Sequence, residues 1–167
     1  ITAGKLGIGF TDANVKVGNT ALDSLTTGTN NTAVGDAALT ANTTGASNTA
    51  VGRYALNVHT TGNSNTALGK DSLLSNTTAS FNTALGKSAM ADNTTGANNT
   101  AVGTNSLGDN TTADDNTSVG YQALRVNTTG EKNTAVGSGA LDANTTASSN
   151  TAVGYSALGA NTTGAEN

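Results

Sequence analysis

Asn31-Thr32-Ala33-Val34-Gly35-Asp36-Ala37-Ala38-Leu39-Thr40-Ala41-Asn42-Thr43-Thr44-Gly45-Ala46-Ser47 is followed at once by Asn48-Thr49-Ala50-Val51-Gly52-Arg53-Tyr54-Ala55-Leu56-Asn57-Val58-His59-Thr60-Thr61-Gly62-Asn63-Ser64. The second stretch restates the first at a period of 17 residues. The period runs on in both directions without insertion or deletion. Nine units open at Asn14, Asn31, Asn48, Asn65, Asn82, Asn99, Asn116, Asn133 and Asn150, and Asn167 opens a tenth. The shared unit is N-T-A-V-G-x-x-A-L-x-x-N-T-T-G-x-x. A fixed period of this size marks one structural coil per unit, stacked on its neighbours. Helical repeats need roughly 33 to 45 residues to hold their helices. Asn, Thr and Gly are poor helix formers, whereas Thr and Val suit strands. The sequence therefore predicts an all-β, parallel β-solenoid over residues 14–167, with residues 1–13 as an off-register opening segment.

Comparison of the units separates an inside from an outside. Counting from the opening Asn, the fourth slot is Val or Leu in every unit, from Val17 to Val153, and the ninth is Leu, or Met at Met90. These two columns are expected to form the apolar spine. The second slot is Thr in eight units and Val15 in the other, so period-2 alternation puts slots two and four together on the inner face. The fifth slot is Gly throughout, from Gly18 to Gly154, which fits a bend with positive φ or a close backbone approach. Slots six and seven, ten and eleven, and sixteen and seventeen vary and hold nearly all the charges. They read as exposed corners. Apolar burial per coil falls well short of the cost of ordering its backbone. Inter-coil hydrogen bonds, Thr and Asn ladders and burial against other chains have to supply the rest, which favours an oligomer.

Composition narrows the function classes. The 167 residues include 23 Asn, 32 Thr and 21 Gly, but no Pro, Cys or Trp. Hydrophobic residues make up 35%, too few for a thick core, and charged residues only 11%, too few for a charge-driven disordered tail. A net charge of −4 with scattered basic residues argues against nucleic acid. No stretch approaches the roughly 18 apolar residues of a membrane span, so no membrane insertion is expected. Without Cys there is no disulfide framework, thiolate zinc site or cysteine nucleophile. The chain opens off-register and stops as a further coil begins, which reads as a segment of something longer.

Asn31-Thr32-Ala33-Val34-Gly35 resembles the S-V-A-I-G strand repeated in the heads of trimeric autotransporter adhesins. The longer N-T-A-V-G-x-x-A-L-x-x-N-T-T-G pattern is similar to repeat tracts of bacteriophage tail-fibre proteins, and Lys5-Leu6-Gly7-Ile8-Gly9 resembles other segments of those fibres. The resemblance covers residues 14–167. It implies a left-handed β-roll with three chains side by side, in an extracellular fibre that spaces and displays attachment surfaces toward a host-surface or glycan receptor. The 17-residue unit is longer than the adhesin repeat, and a three-faced coil fits it as well as a two-strand roll.

Candidate chemistry is sparse, and no catalytic, cofactor or metal site is expected. His59 is the only His, in a slot otherwise mostly Asn, and reads as a substitution in the ladder. Asp92, Asp109, Asp114 and Asp115 offer hard oxygen ligands of the kind Ca²⁺ takes, but their spacing matches no calcium loop. They read as solvated carboxylates. Tyr54, Phe81, Tyr121 and Tyr155 occupy variable slots and are expected to face outward. N-T-T recurs at Asn42, Asn76, Asn93, Asn110, Asn127, Asn144 and Asn161, which is a glycosylation acceptor pattern as well as a regular ladder. Thr occupies slots thirteen and fourteen throughout, from Thr26-Thr27 to Thr162-Thr163, which raises ice binding by a Thr-bearing solenoid as the alternative function. Adjacent strand residues face opposite ways, so one Thr row at most faces outward there. A carbohydrate-active enzyme would carry clustered acids and long loops, whereas here the period never slips and no pair of carboxylates is singled out.

Overall fold

The computed structural model describes residues 13–167. The opening residues 1–12, including Lys5–Gly9, lie outside the described residues. Each unit contributes one three-residue strand: β1 (Val15–Val17), β2 (Thr32–Val34), β3 (Thr49–Val51), β4 (Thr66–Leu68), β5 (Thr83–Leu85), β6 (Thr100–Val102), β7 (Thr117–Val119), β8 (Thr134–Val136) and β9 (Thr151–Val153). They form a single parallel sheet in chain order. The register advances by one repeat at every step, so that Val34 pairs with Val51 and Ala33 with Ala50. The described residues contain no helix. The chain is a β-solenoid with one coil per 17-residue unit, as the period predicts.

Strand accounts for only a small part of each coil, yet the backbone is bonded around the circuit. Leu39 N–H donates to Ala55 carbonyl at 3.0 Å, Ala41 to Asn57 at 3.2 Å and Thr43 to Thr60 at 2.9 Å, all in the following coil. Gly35 N–H donates to Val17 at 2.7 Å, Ala37 to Asn19 at 2.9 Å and Ser47 to Thr29 at 2.9 Å, all in the preceding one. Buried amides and carbonyls thus find partners without a second strand. Turning through a full circuit in so few residues requires left-handed backbone. The seventh, ninth and seventeenth slots take it in every unit, as at Ala37 (φ 56°), Leu39 (φ 50°) and Ser47 (φ 59°). The fifth-slot Gly goes further. Gly35 has φ 139°, and a Cβ there would sit 2.5 Å from the carbonyl oxygen of Gly52. Both reasons for an unvarying Gly therefore hold at one position.

The structure corrects the inside–outside assignment of the strand. The ninth-slot column is buried as expected, from Leu39 through Leu56, Leu73, Met90, Leu107 and Leu124 to Leu141, each with no exposed surface. The fourth-slot Val/Leu column is not part of that spine. Alternation does pair slots two and four, but on the outer face: Leu68 is 43% exposed, Leu85 41% and Val153 69%. The inner positions are the opening Asn and the third-slot Ala, and both are fully buried in most coils. The reason is room. The core cluster consists of third-slot Ala, eighth-slot Ala and ninth-slot Leu, so the interior is one Leu deep. A β-branched residue on the inner strand face would overfill it. Ser118 takes the third slot in β7, and Lys16 in β1, where its ammonium reaches Asp23 at 3.8 Å.

Candidate interaction face

Two polar ladders run inside the coil. At the opening Asn, each side-chain Oδ1 accepts the backbone N–H of the next opening Asn, from Asn14 to Asn31 at 2.7 Å down to Asn150 to Asn167 at 3.1 Å. From Asn14 to Asn133 the Nδ2 of the same residue donates across the coil to the fifteenth-slot carbonyl, as from Asn31 to Gly45 at 2.8 Å, while Asn150 Nδ2 is buried without a partner. The second ladder is at the twelfth slot. There Nδ2 donates to the carbonyl three residues on, and in the later coils also to the Oδ1 of the preceding Asn, as from Asn110 to Asn93 at 2.7 Å and Asn144 to Asn127 at 3.0 Å. Buried amides that satisfy one another across coils fix the register and exclude slippage. The inward opening Asn was not anticipated from the sequence. Its invariance at period two from a near-invariant Ala was the available signal.

His59 replaces Asn in the second ladder. Its ring is fully buried; Nε2 lies 2.9 Å from the Gly62 carbonyl and Nδ1 3.3 Å from Asn76 Nδ2. With a carbonyl on one side and an amide nitrogen on the other, Nε2 carries the proton and Nδ1 accepts. Burial holds the imidazole pKa below the ordinary histidine value, while its hydrogen bonds to Gly62 and Asn76 work the other way. The substitution leaves a mark on the preceding coil: Asn42 Oδ1, which accepts from no twelfth-slot amide of the next coil, is buried without a partner.

The remaining candidates are distributed over separate corners. Asp92 and Asp109 are eleventh-slot neighbours, and Asp109 lies 3.9 Å from Arg125. Asp114 turns its Oδ1 back to the Ala97 amide at 2.7 Å, and exposed Asp115 sits in the left-handed region at φ 60°. Among the described residues no three His, Asp or Glu side chains gather in a metal-binding group. Phe81, Tyr121 and Tyr155 are exposed, the last at 85%. Tyr54 is half-buried beneath Arg53, whose guanidinium lies 4.4 Å from the ring centre. Six of the N-T-T asparagines, from Asn42 to Asn144, are fully buried as ladder members, so a glycan on any of them has no room in the folded coil. Asn161, in the last complete unit, is partly exposed. Of the paired Thr rows, slot thirteen spends its hydroxyl on the next coil, as from Thr43 to the Thr60 carbonyl at 3.1 Å, and slot fourteen faces solvent.

What the geometry builds on its outside is one continuous face. The outward Thr and Val/Leu of β2 to β9 form two parallel rows with no charged residue in either. Val58 and Leu158 aside, every large exposed hydrophobic side chain of the described residues lies on this face or along its two rims. The rims are the sixth slot after each strand, which carries Arg53, Lys70, Lys87, Tyr121 and Tyr155, and the seventeenth before it, which carries Phe81. Such a patch is suited to meeting a matched surface. No protein-family model, curated protein or solved structure matches the chain.

Proposed function

We propose that this chain is a non-catalytic structural segment of an extracellular, homotrimeric fibre, of the phage tail-fibre or bacterial adhesin kind. Its work is to space, stiffen and display. The observation that supports this best is the uninterrupted stack: a pair of internal Asn ladders and a Leu column hold one register over the described residues, while sequence variation is concentrated at the corners. A rod of constant cross-section with freely variable corners transmits load and presents contacts toward a host-surface or glycan receptor. Deleting one unit, residues 82–98, tests it. The variant should remain folded, keep the mass of three chains in solution and shorten the rod by about 4.8 Å in X-ray scattering. A single-chain mass for the parent protein at every concentration would remove the trimer from the reading.

A second reading, ice binding, gains support from the outward strand face. Two ranks, Thr and Val or Leu, repeat at strand spacing on one uncharged outer face of the sheet, an arrangement able to order water. Thermal hysteresis in a freezing assay, from a protein that stays monomeric, would favour it over the fibre.

A further inference from the structure

We propose that the outward Thr and Val/Leu face is where copies of this chain meet, parallel and rung against rung. The proposal rests on the fibre reading and adds which face joins the copies and in what register. Three observations lead to a second copy as the occupant.

The first is periodicity. Both rows of the face repeat once per coil from β2 to β9, and Val15 and Val17 continue them onto β1, which makes nine strands. A globular partner offers no knobs repeating at strand spacing over such a length, whereas another copy matches it rung for rung.

The second is area. Nine strands at about 4.8 Å, taken with one residue of rim on each side, span on the order of 700 Å², close to the roughly 800 Å² each partner gives to a stable interface.

The third is charge at the rims. Rotation about an axis parallel to the stack sets the sixth-slot rim of one copy against the seventeenth-slot rim of its neighbour at the same level. The pairs are then Arg53 with Ser47, Lys70 with Ser64, Lys87 with Phe81 and Tyr121 with Asp115. No rung opposes like charges, and Lys87 meets an aromatic ring of the kind cations favour. An inverted copy with full overlap instead brings the sixth-slot rim onto itself and places Lys87, which follows the central strand β5, against Lys87. The charges therefore select the parallel arrangement.

Two sets of variants test this by sedimentation at concentrations up to about 1 mM, where even weak complexes populate. Leu68→Glu, Leu85→Glu and Val102→Glu together charge the face at exposed or half-exposed positions. Thr78→Glu, Thr95→Glu and Thr112→Glu charge the exposed fourteenth-slot row by the same amount. The parent chain should sediment as a multiple of 16.2 kDa, the first variant should lose at least tenfold in association with its circular dichroism unchanged, and the second should match the parent. An oligomer that survives the face variant, or that the fourteenth-slot variant dissolves, overturns the face and leaves the fibre reading standing. A dimeric parent that the face variant dissociates keeps the face and removes the trimer. A monomeric parent overturns both, and thermal hysteresis abolished by the face variant would then assign the face to water. Register is read by mixing a Thr49→Cys variant with a Val51→Cys variant of this cysteine-free chain, because rotation about the stack axis sets the second slot of one copy against the fourth slot of its neighbour on the same rung. Disulfide-linking of Thr49→Cys copies to Val51→Cys copies is expected. Linking of Thr49→Cys copies to Thr117→Cys copies instead would overturn the parallel arrangement, because an inverted copy sets β3 against β7 with second slots opposed.

Discussion

Replacing His59 by Asn should stabilise the protein, and more so in acid. In the later coils the twelfth-slot amide makes two bonds, as Asn110 does to Asn93 Oδ1 at 2.7 Å and to the Ala113 carbonyl at 3.1 Å. His59 makes only the second kind, through Nε2 to Gly62, and has no further N–H to offer Asn42 Oδ1. A buried acceptor left without a partner costs about 1–3 kcal/mol. Some of that gain is offset by losing the apolar burial of the imidazole, which leaves about 1 kcal/mol net at neutral pH, or roughly 2–4 °C in melting temperature for a chain of this size. The pH dependence has a definite sign. The folded imidazole has a pKa below its unfolded value. The unfolded chain therefore takes up a proton as pH falls through about 6.5 while the folded chain resists it, so stability is complete above that pH and declines below it. The His59→Asn variant has no such term. Paired melts of the two proteins at pH 7.5 and pH 5 cancel every other titrating group, and the difference between them should widen at the lower pH. A His59→Asn variant that melts below the parent at pH 7.5, or a difference that does not grow on acidification, would refute the reasoning.

Leu107→Asp places a carboxylate in the fully buried Leu column and should cost several kcal/mol; Asn105→Asp, at φ 53° in a slot where Asp71 already holds φ 59°, should stay within about 0.5 kcal/mol in the same melts. A Leu107 variant melting within about 2 °C of the parent contradicts the assigned interior. Gly86→Ala meets the Gly103 carbonyl at 2.5 Å with φ 142°, so it should lose at least about 2 kcal/mol and raise amide exchange in the coils of β5 and β6; unchanged exchange would count against the close approach. Ser106 and Ser118 form a buried pair at 2.7 Å in slots that are mostly Ala, and Ser118 also donates to Ala123 at 2.8 Å. The double Ala variant should lie within about 1 kcal/mol of the parent by denaturant titration, and a larger loss would show that the hydroxyls are needed in the core.

Most of the architecture was legible because it is a consequence of period. One coil per 17 residues, the buried ninth-slot Leu, the strained fifth-slot Gly and the variable corners all follow from reading the units against one another. Each is set by a constraint local to its own column. The outward position of Phe81, Tyr121 and Tyr155 was legible on the same grounds, whereas Tyr54, in the variable seventh slot, is half-buried with Arg53 over its ring.

Which face of the strand points inward was decided by the tertiary structure alone. Alternation tied slots two and four together, and that pairing holds, but it carries no sign. Choosing the apolar Val column as the inside presumes a core wide enough to take it. The closed coil is only one Leu deep, so it admits Ala33 and the amide of Asn31 and turns Val34 out. Width is a property of the whole circuit, set by where the left-handed residues at the seventh, ninth and seventeenth slots close the chain on itself. No single column encodes it. The same closure brings an asparagine within bonding distance of its counterpart a full turn away, so that a residue ordinarily at the surface becomes, at Asn31 and Asn110, the interior that the small Ala and single Leu leave room for.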